Sequence, residues 1–307
     1  MKVLVVGAGA VGGYFGGRLV ENRVDVTFLV RERRQRELKE KGLVIQSVHG
    51  DFTFKPQTII SGQEVPFLFD VILVGTKSYH FKQAIEDISP YVSEDTLIIP
   101  MLNGIKHLHD LETVFPKRNI AGGLCFVEST VGSKGEILQT SGAHQFVFGE
   151  RSGQDTERIK KVEEVFSGTK ATIIKSQTIM KDMWHKYMFI TGLSGITTLF
   201  RSSIGPIRNA EYGLEMIQEI FYEIGRIMRA TGAPIDDEIE VSQIKKIKEM
   251  DETMKSSMQR DMEKNAQIEA DHLQGYLLEL AEKHRVETPY LRMIYSNLHT
   301  YELQRNE

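Results

Sequence analysis

Gly7, Gly9 and Gly12 stand in the run GAGAVGG at the spacing G-x-G-x-x-G, between the apolar run KVLVV and a helical pattern from Ala10 to Asn22. In that setting each glycine has its own task. The first permits a tight turn, the second lets backbone approach a pyrophosphate, and the third lets helix and strand pack closely. The N–H groups opening the helix, with their partial positive charge, suit phosphates. Gly7, Ala8, Gly9, Ala10, Val11 and Gly12 are therefore expected to cradle a dinucleotide.

The end of the next strand, FLVRERR, separates the cofactors. An Asp or Glu there would accept from a ribose 2′-hydroxyl and repel a 2′-phosphate. Asp25 lies at the opposite end of that strand, and Glu32 is flanked by Arg31, Arg33 and Arg34. A guanidinium at Arg31 suits a 2′-phosphate, which favours NADP over NAD. The plain alternative is a solvated arginine cluster, and the loop alone leaves FAD open.

Two polar residues follow buried-strand patterns, Lys77 after FDVILVGTK and Asn103 within TLIIPMLNG. Ligands of open α/β sheets collect beyond the carboxyl ends of strands, so either could meet the nicotinamide half of a cofactor or a substrate carboxylate. An ordinary loop lysine and a turn asparagine are the alternative. Lys186 lies in the most apolar part of IMKDMWHKYMFITGLSGITTLF. Partial burial would destabilise its ammonium form and suit it to protonate a developing alkoxide; a lysine that snorkels its head to water is the competing reading. His185 is an alternative acid on another face. No histidine pattern suits a metal, and no G-x-S-x-G elbow occurs, which argues against metal hydrolysis and acyl transfer.

These residues need a scaffold. KVLVV and DVTFLVR read as strands, followed by LVIQS, FTFKPQTII, FDVILVGTK, TLIIPMLNG, NIAGGLCFVEST, GEILQT and HQFVFGE. Helical segments such as 79–88 and 105–114 fall between them, so the expected fold class is α/β with a Rossmann-type parallel sheet. From Gln177 the apolar positions recur at helical spacing, so residues 1–176 are expected to bind the cofactor and residues 177–307 to form an all-helical C-terminal domain. MKSSMQRDMEKNAQIEADHLQGYLLELAEKH reads as one amphipathic helix in which Glu269 is a solvated carboxylate unless something brings it to a site.

Composition narrows the partners. The 307 residues are 41% hydrophobic and 26% charged, with a net charge of -4 from 38 basic and 42 acidic residues. That balance gives no reason to expect nucleic acid or membrane. Cys125 is the sole cysteine, so no intramolecular disulfide or thiolate cluster forms. A reducing compartment suits it, and with no run of about 20 apolar residues and no signal-type segment the cytoplasm is expected. Apolar helical faces in the second half leave room for a homodimer.

GAGAVGGYFGGRL, VGTKSY, MLNGI, GGLCFVESTVGSKGEILQTSGAHQFVFGE, and WHKYMF followed by SSMQRDMEKNAQIEADHLQGYL together resemble the ketopantoate reductase (2-dehydropantoate 2-reductase) family over essentially the whole chain. The resemblance implies NADPH-dependent reduction of ketopantoate to pantoate in pantothenate and coenzyme A biosynthesis, in a cleft between two domains. It makes Lys186 the proton donor to the keto oxygen and puts Glu269 beside the substrate hydroxyl and nicotinamide end. Ser257 would meet the substrate carboxylate, Asn103 and Lys77 the junction of cofactor and substrate, and Arg31 the 2′-phosphate. The family's asparagines four and eight residues after the lysine are here Ile190 and Ser194, so the substrate pocket is altered; Leu102 replaces a frequent glutamine. Two further readings follow: a paralogue for another, more apolar 2-oxo acid, and an NADPH-binding regulator without turnover.

Overall fold

The computed structural model describes residues 1–305; Asn306 and Glu307, at the end of the expected second domain, lie outside the described residues. The chain divides into two compact units. One comprises Met1–Leu102 with His107–Ile179, the other Asn103–Lys106 with Met180 onward.

In the first unit the elements run β1 (Lys2–Val6), α1 (Gly12–Glu21), β2 (Asp25–Leu29), α2 (Glu32–Lys41), β3 (Leu43–Ser47), β4 (Phe52–Phe54), β5 (Gln57–Ile59), β6 (Val71–Val74), α3 (Phe81–Ile88), β7 (Leu97–Pro100), α4 (Lys106–Glu112), β8 (Gly122–Val131), β9 (Ile137–Gly149), α5 (Glu157–Phe166) and β10 (Thr172–Lys175). One sheet has the order β5-β2-β1-β6-β7, every pair parallel. Apart from Lys2 and Pro100 at their ends, β1, β6 and β7 are built of Val, Leu and Ile because such a sheet is covered on both faces. The second sheet has the order β10-β9-β3-β4, with β8 antiparallel to β9.

Helix α1 lies between the two sheets, and its small residues are what allow it. A Cβ at Gly16 would come within 2.7 Å of Phe28 in the first sheet, and one at Gly13 or Gly17 within 2.4 Å of Ile137 or Ile45 in the second. Phe15 from the same helix joins Phe28, Phe146, Phe148 and Phe166 in a single core. Each fully buried phenylalanine there contributes about 1.5–3 kcal/mol.

Two strand expectations need correction. FTFKPQTII is not one strand: β4 pairs with β3 in the second sheet and β5 with β2 in the first, and the break falls at Lys55–Pro56, where proline has no N–H to donate. GEILQT and HQFVFGE merge into the 13-residue β9, whose extra residues bulge out between Gln139 and His144, opposite the single step from Val127 to Ser129 in β8.

The second unit is helical: α6 (Ile179–Phe200), α7 (Ile204–Asn209), α8 (Gly213–Ala230), α9 (Ile239–Glu249), α10 (Ser257–Glu263), α11 (Tyr276–His284) and α12 (Pro289–Arg305). The expected single helix around Glu269 is two. Asn265 takes left-handed backbone (φ 53°) and ends α10, and the chain re-enters α11 through a π-helical turn at Asp271–Gly275. No helix among the described residues is long and apolar enough to cross a membrane.

Candidate active site

Because the first sheet is parallel and in register, its loops leave at one edge. Val6 pairs with Leu29 on one side and Val74 on the other, and Val74 pairs with Pro100. The chain leaves β1 for β2 on one side and later returns to β6 on the other, which makes the loop after β1 the topological switch point.

The three loop glycines have different reasons to be glycine. Gly7 has φ 90°, a region costly for any residue with a Cβ. A Cβ at Gly12 would lie 2.2 Å from the Gly7 carbonyl oxygen, so helix and strand meet only without it. A Cβ at Gly9 meets no atom within 4 Å. Nothing in the protein's own packing asks for a glycine there. The open space suits a pyrophosphate lying against the backbone at the start of α1, so the loop fits the dinucleotide expected of it.

Arg31 occupies the N-cap position of α2 and is exposed, with its Nη2 donating to His80 Nδ1 at 3.1 Å. Desolvation first, and then the Arg31 charge, lower the His80 pKa. Accepting on Nδ1, that ring is neutral with its proton on Nε2. Lys77 is half-buried and caps the short 3-10 turn Ser78–His80 that follows β6.

In the second unit Lys186 and Ile190 are half-buried on α6, one turn apart on the same face. Two side chains tie this helix to the segment that follows Glu269. The Tyr187 hydroxyl donates to the Leu273 carbonyl at 2.5 Å, and the Gln274 amide donates to the Thr191 carbonyl and to Ser194 Oγ, each at 3.0 Å. Glu269 is half-buried just before the π turn, where its carbonyl accepts from Leu273 N–H at 3.1 Å. Lys186 and Glu269 therefore stand on elements fastened to each other. Asn103 groups with this unit, its carbonyl 2.8 Å from His272 Nε2.

The chain matches the family description "Ketopantoate reductase PanE/ApbA" over residues 3–153 and "Ketopantoate reductase PanE/ApbA C terminal" over residues 178–302. It belongs to the ketopantoate reductase family. It is 47% identical over 305 residues to the uncharacterized oxidoreductase YkpB of Bacillus subtilis (strain 168), covering 99% of this chain and 100% of that one. The solved 2-dehydropantoate 2-reductase of Methylococcus capsulatus superposes with a TM-score of 0.89 at 25% identity, over 100% of this chain and 98% of that one. D-mandelate dehydrogenase with NADH and anilino(oxo)acetate shares the fold at a TM-score of 0.88 and 21% identity, both chains covered fully at 100%. The chain is an oxidoreductase of this family, whose cofactor is NADPH.

Three residues singled out in the sequence have the following surroundings in the structure. His185 Nε2 accepts the Asp236 backbone N–H at 3.1 Å, and burial is the main cause of its lowered pKa, so the ring is neutral and is no proton donor at that nitrogen. Ser194, expected on the substrate pocket, is buried, and its Oγ accepts from the Gln274 amide. Ser257 is exposed as the first residue of α10, while Ser256 is the buried cap, accepting from Gln259 N–H at 3.1 Å. His80, Tyr187 and Gln274 were not singled out in the sequence. Only Gln274 had a visible signal, a polar side chain on the apolar side of an amphipathic pattern.

Proposed function

We propose that the chain reduces 2-dehydropantoate to pantoate, the hydroxy acid of pantothenate and coenzyme A biosynthesis. The observation that carries the reading is that the half-buried Lys186 and Glu269 stand on elements tied to each other through Tyr187 and Gln274. When bound, NADPH supplies the hydride that adds to the substrate's C2. Gly7 to Gly12 and Arg31 hold the cofactor, with Lys77 and Asn103 toward its nicotinamide end. Lys186 donates a proton from Nζ to the keto oxygen as negative charge grows there, and recovers one from water afterwards. Before that transfer its ammonium charge also polarises the carbonyl. Glu269 accepts from the substrate hydroxyl and Ser257 donates to the substrate carboxylate.

A second reading within the same chemistry is a 2-oxo acid with an apolar side chain. Ile190 favours it, since that half-buried residue on the Lys186 face neither donates nor accepts, and Ser194 is engaged by Gln274. One comparison separates the two: kcat/KM for ketopantoate against 3,3-dimethyl-2-oxobutanoate, which lacks only the hydroxyl. A site built for the hydroxyl prefers ketopantoate by about 100-fold or more. Equal or better use of the analogue selects the second reading, and turnover of neither by NADPH-binding protein overturns both.

A further inference from the structure

Two carbonyl groups of the glycine loop are held by side chains from distant parts of the sequence. Arg34, in the first turn of α2, donates from Nη2 to the Ala8 carbonyl at 3.4 Å and to the Gly135 carbonyl at 2.9 Å. Ser129, which pairs in β8 with Gln139 beside the β9 bulge, donates from its hydroxyl to the Ala10 carbonyl at 2.9 Å. Arg34 is itself fixed by Glu37, whose carboxylate lies 3.2 Å from Nη1. Gly135 makes room for it, since a Cβ there would lie 2.7 Å from Arg34 Nη1.

A trans peptide unit is planar, with C=O and the following N–H pointing in opposite directions. Holding the Ala8 oxygen on one side therefore fixes the Gly9 N–H on the other, and holding the Ala10 oxygen fixes the Val11 N–H. A peptide turned the opposite way would present a carbonyl oxygen to phosphate and repel it; in the held orientation the loop presents donors.

We propose that Arg34 and Ser129 are positioning residues that set the polarity of the glycine loop, so that the Gly9 and Val11 amides donate to the cofactor pyrophosphate. The proposal rests on this loop being the cofactor site. It separates two arginines three residues apart: Arg31 answers to the 2′-phosphate, whereas Arg34 acts through Ala8 on a part that NADPH and NADH share.

The test is titration of the unliganded protein with NADPH and with NADH, followed by nicotinamide fluorescence, for R34Q, R34M, S129A, S129T and R31Q. R34Q, R34M and S129A are expected to weaken both cofactors by roughly three- to tenfold each, with the NADPH-to-NADH ratio held within about twofold. S129T, which keeps the hydroxyl, restores binding, and R31Q loses NADPH selectively. Unchanged affinities in R34Q, R34M and S129A overturn the proposal. So does a loss confined to NADPH in the Arg34 variants, which would put that guanidinium on the 2′-phosphate. Loss of the thermal unfolding transition in both Arg34 variants overturns it for Arg34, leaving S129A against S129T to decide for Ser129. Failure of the unaltered protein to bind either cofactor would instead remove the cofactor site itself.

Discussion

The Arg31 guanidinium donates to Nδ1 of His80 at 3.1 Å, joining the loop after β2 to the loop after β6 on either side of β1. A long arginine side chain loses rotamer freedom on meeting a ligand, and a partner that restrains it beforehand lowers that cost. R31Q should weaken NADPH binding about 10- to 100-fold and leave NADH within about twofold, because charge-assisted bonds to the 2′-phosphate are removed. H80F should weaken NADPH by a few-fold, while H80Q, whose amide oxygen can replace Nδ1 as acceptor, should not. Fluorescence titration measures all three, and an equal loss of NADH in R31Q would refute the role given to Arg31.

Lys186 and His185 are neighbours with opposite expectations. K186A should lower kcat by about 10²- to 10⁴-fold, the usual contribution of a general acid, with the NADPH dissociation constant unchanged. H185Q should keep kcat within a few-fold, since the amide oxygen can take over the Asp236 N–H that Nε2 now accepts. Single-turnover oxidation of NADPH reads the chemical step directly. A larger loss in H185Q than in K186A would exchange their roles.

How much could be read in advance differs from residue to residue. The span of α6 and the place of Lys186 in it were legible because 22 residues of mostly apolar character admit few alternatives to a buried helix. Gly7, Gly9 and Gly12 were legible because their spacing reflects backbone geometry local to one turn. The break before Glu269 was not, since it turns on one left-handed residue, Asn265, inside a run that otherwise keeps helical periodicity. The inward turn of Arg34 was hidden as well. In RERRQRELKEK one arginine resembles another, and what selects Arg34 is a carbonyl 101 residues away at Gly135. Tertiary pairing decided these points, and periodicity does not carry it.

Ile190 offers a direct probe of the substrate's far end. I190N adds a donor and an acceptor one turn from Lys186, at a half-buried position where an amide can remain hydrated. The kcat/KM ratio of ketopantoate over 3,3-dimethyl-2-oxobutanoate should rise about tenfold, the worth of one well-made hydrogen bond to the substrate hydroxyl. A ratio that does not move would mean that position 190 does not touch that part of the substrate.

Glu223 links the second unit's stability to pH. This buried carboxylate on α8 accepts the backbone N–H groups of Leu291 at 2.7 Å and Tyr290 at 3.2 Å, at the start of α12. Burial raises its pKa, and the two N–H bonds only partly oppose this. In the folded state the carboxyl therefore holds its proton to higher pH than in the unfolded chain. Its contribution to stability is full below the ordinary glutamate pKa of about 4.3 and is lost as pH rises through the raised value. E223Q cannot titrate and keeps an acceptor for Leu291, so its cost is a constant offset. The melting temperature of E223Q relative to the unaltered protein should therefore climb as pH rises from below that ordinary value to neutrality. Calorimetric melts across this range would show a flat difference if Glu223 titrates normally, and a falling one if the N–H bonds outweigh burial.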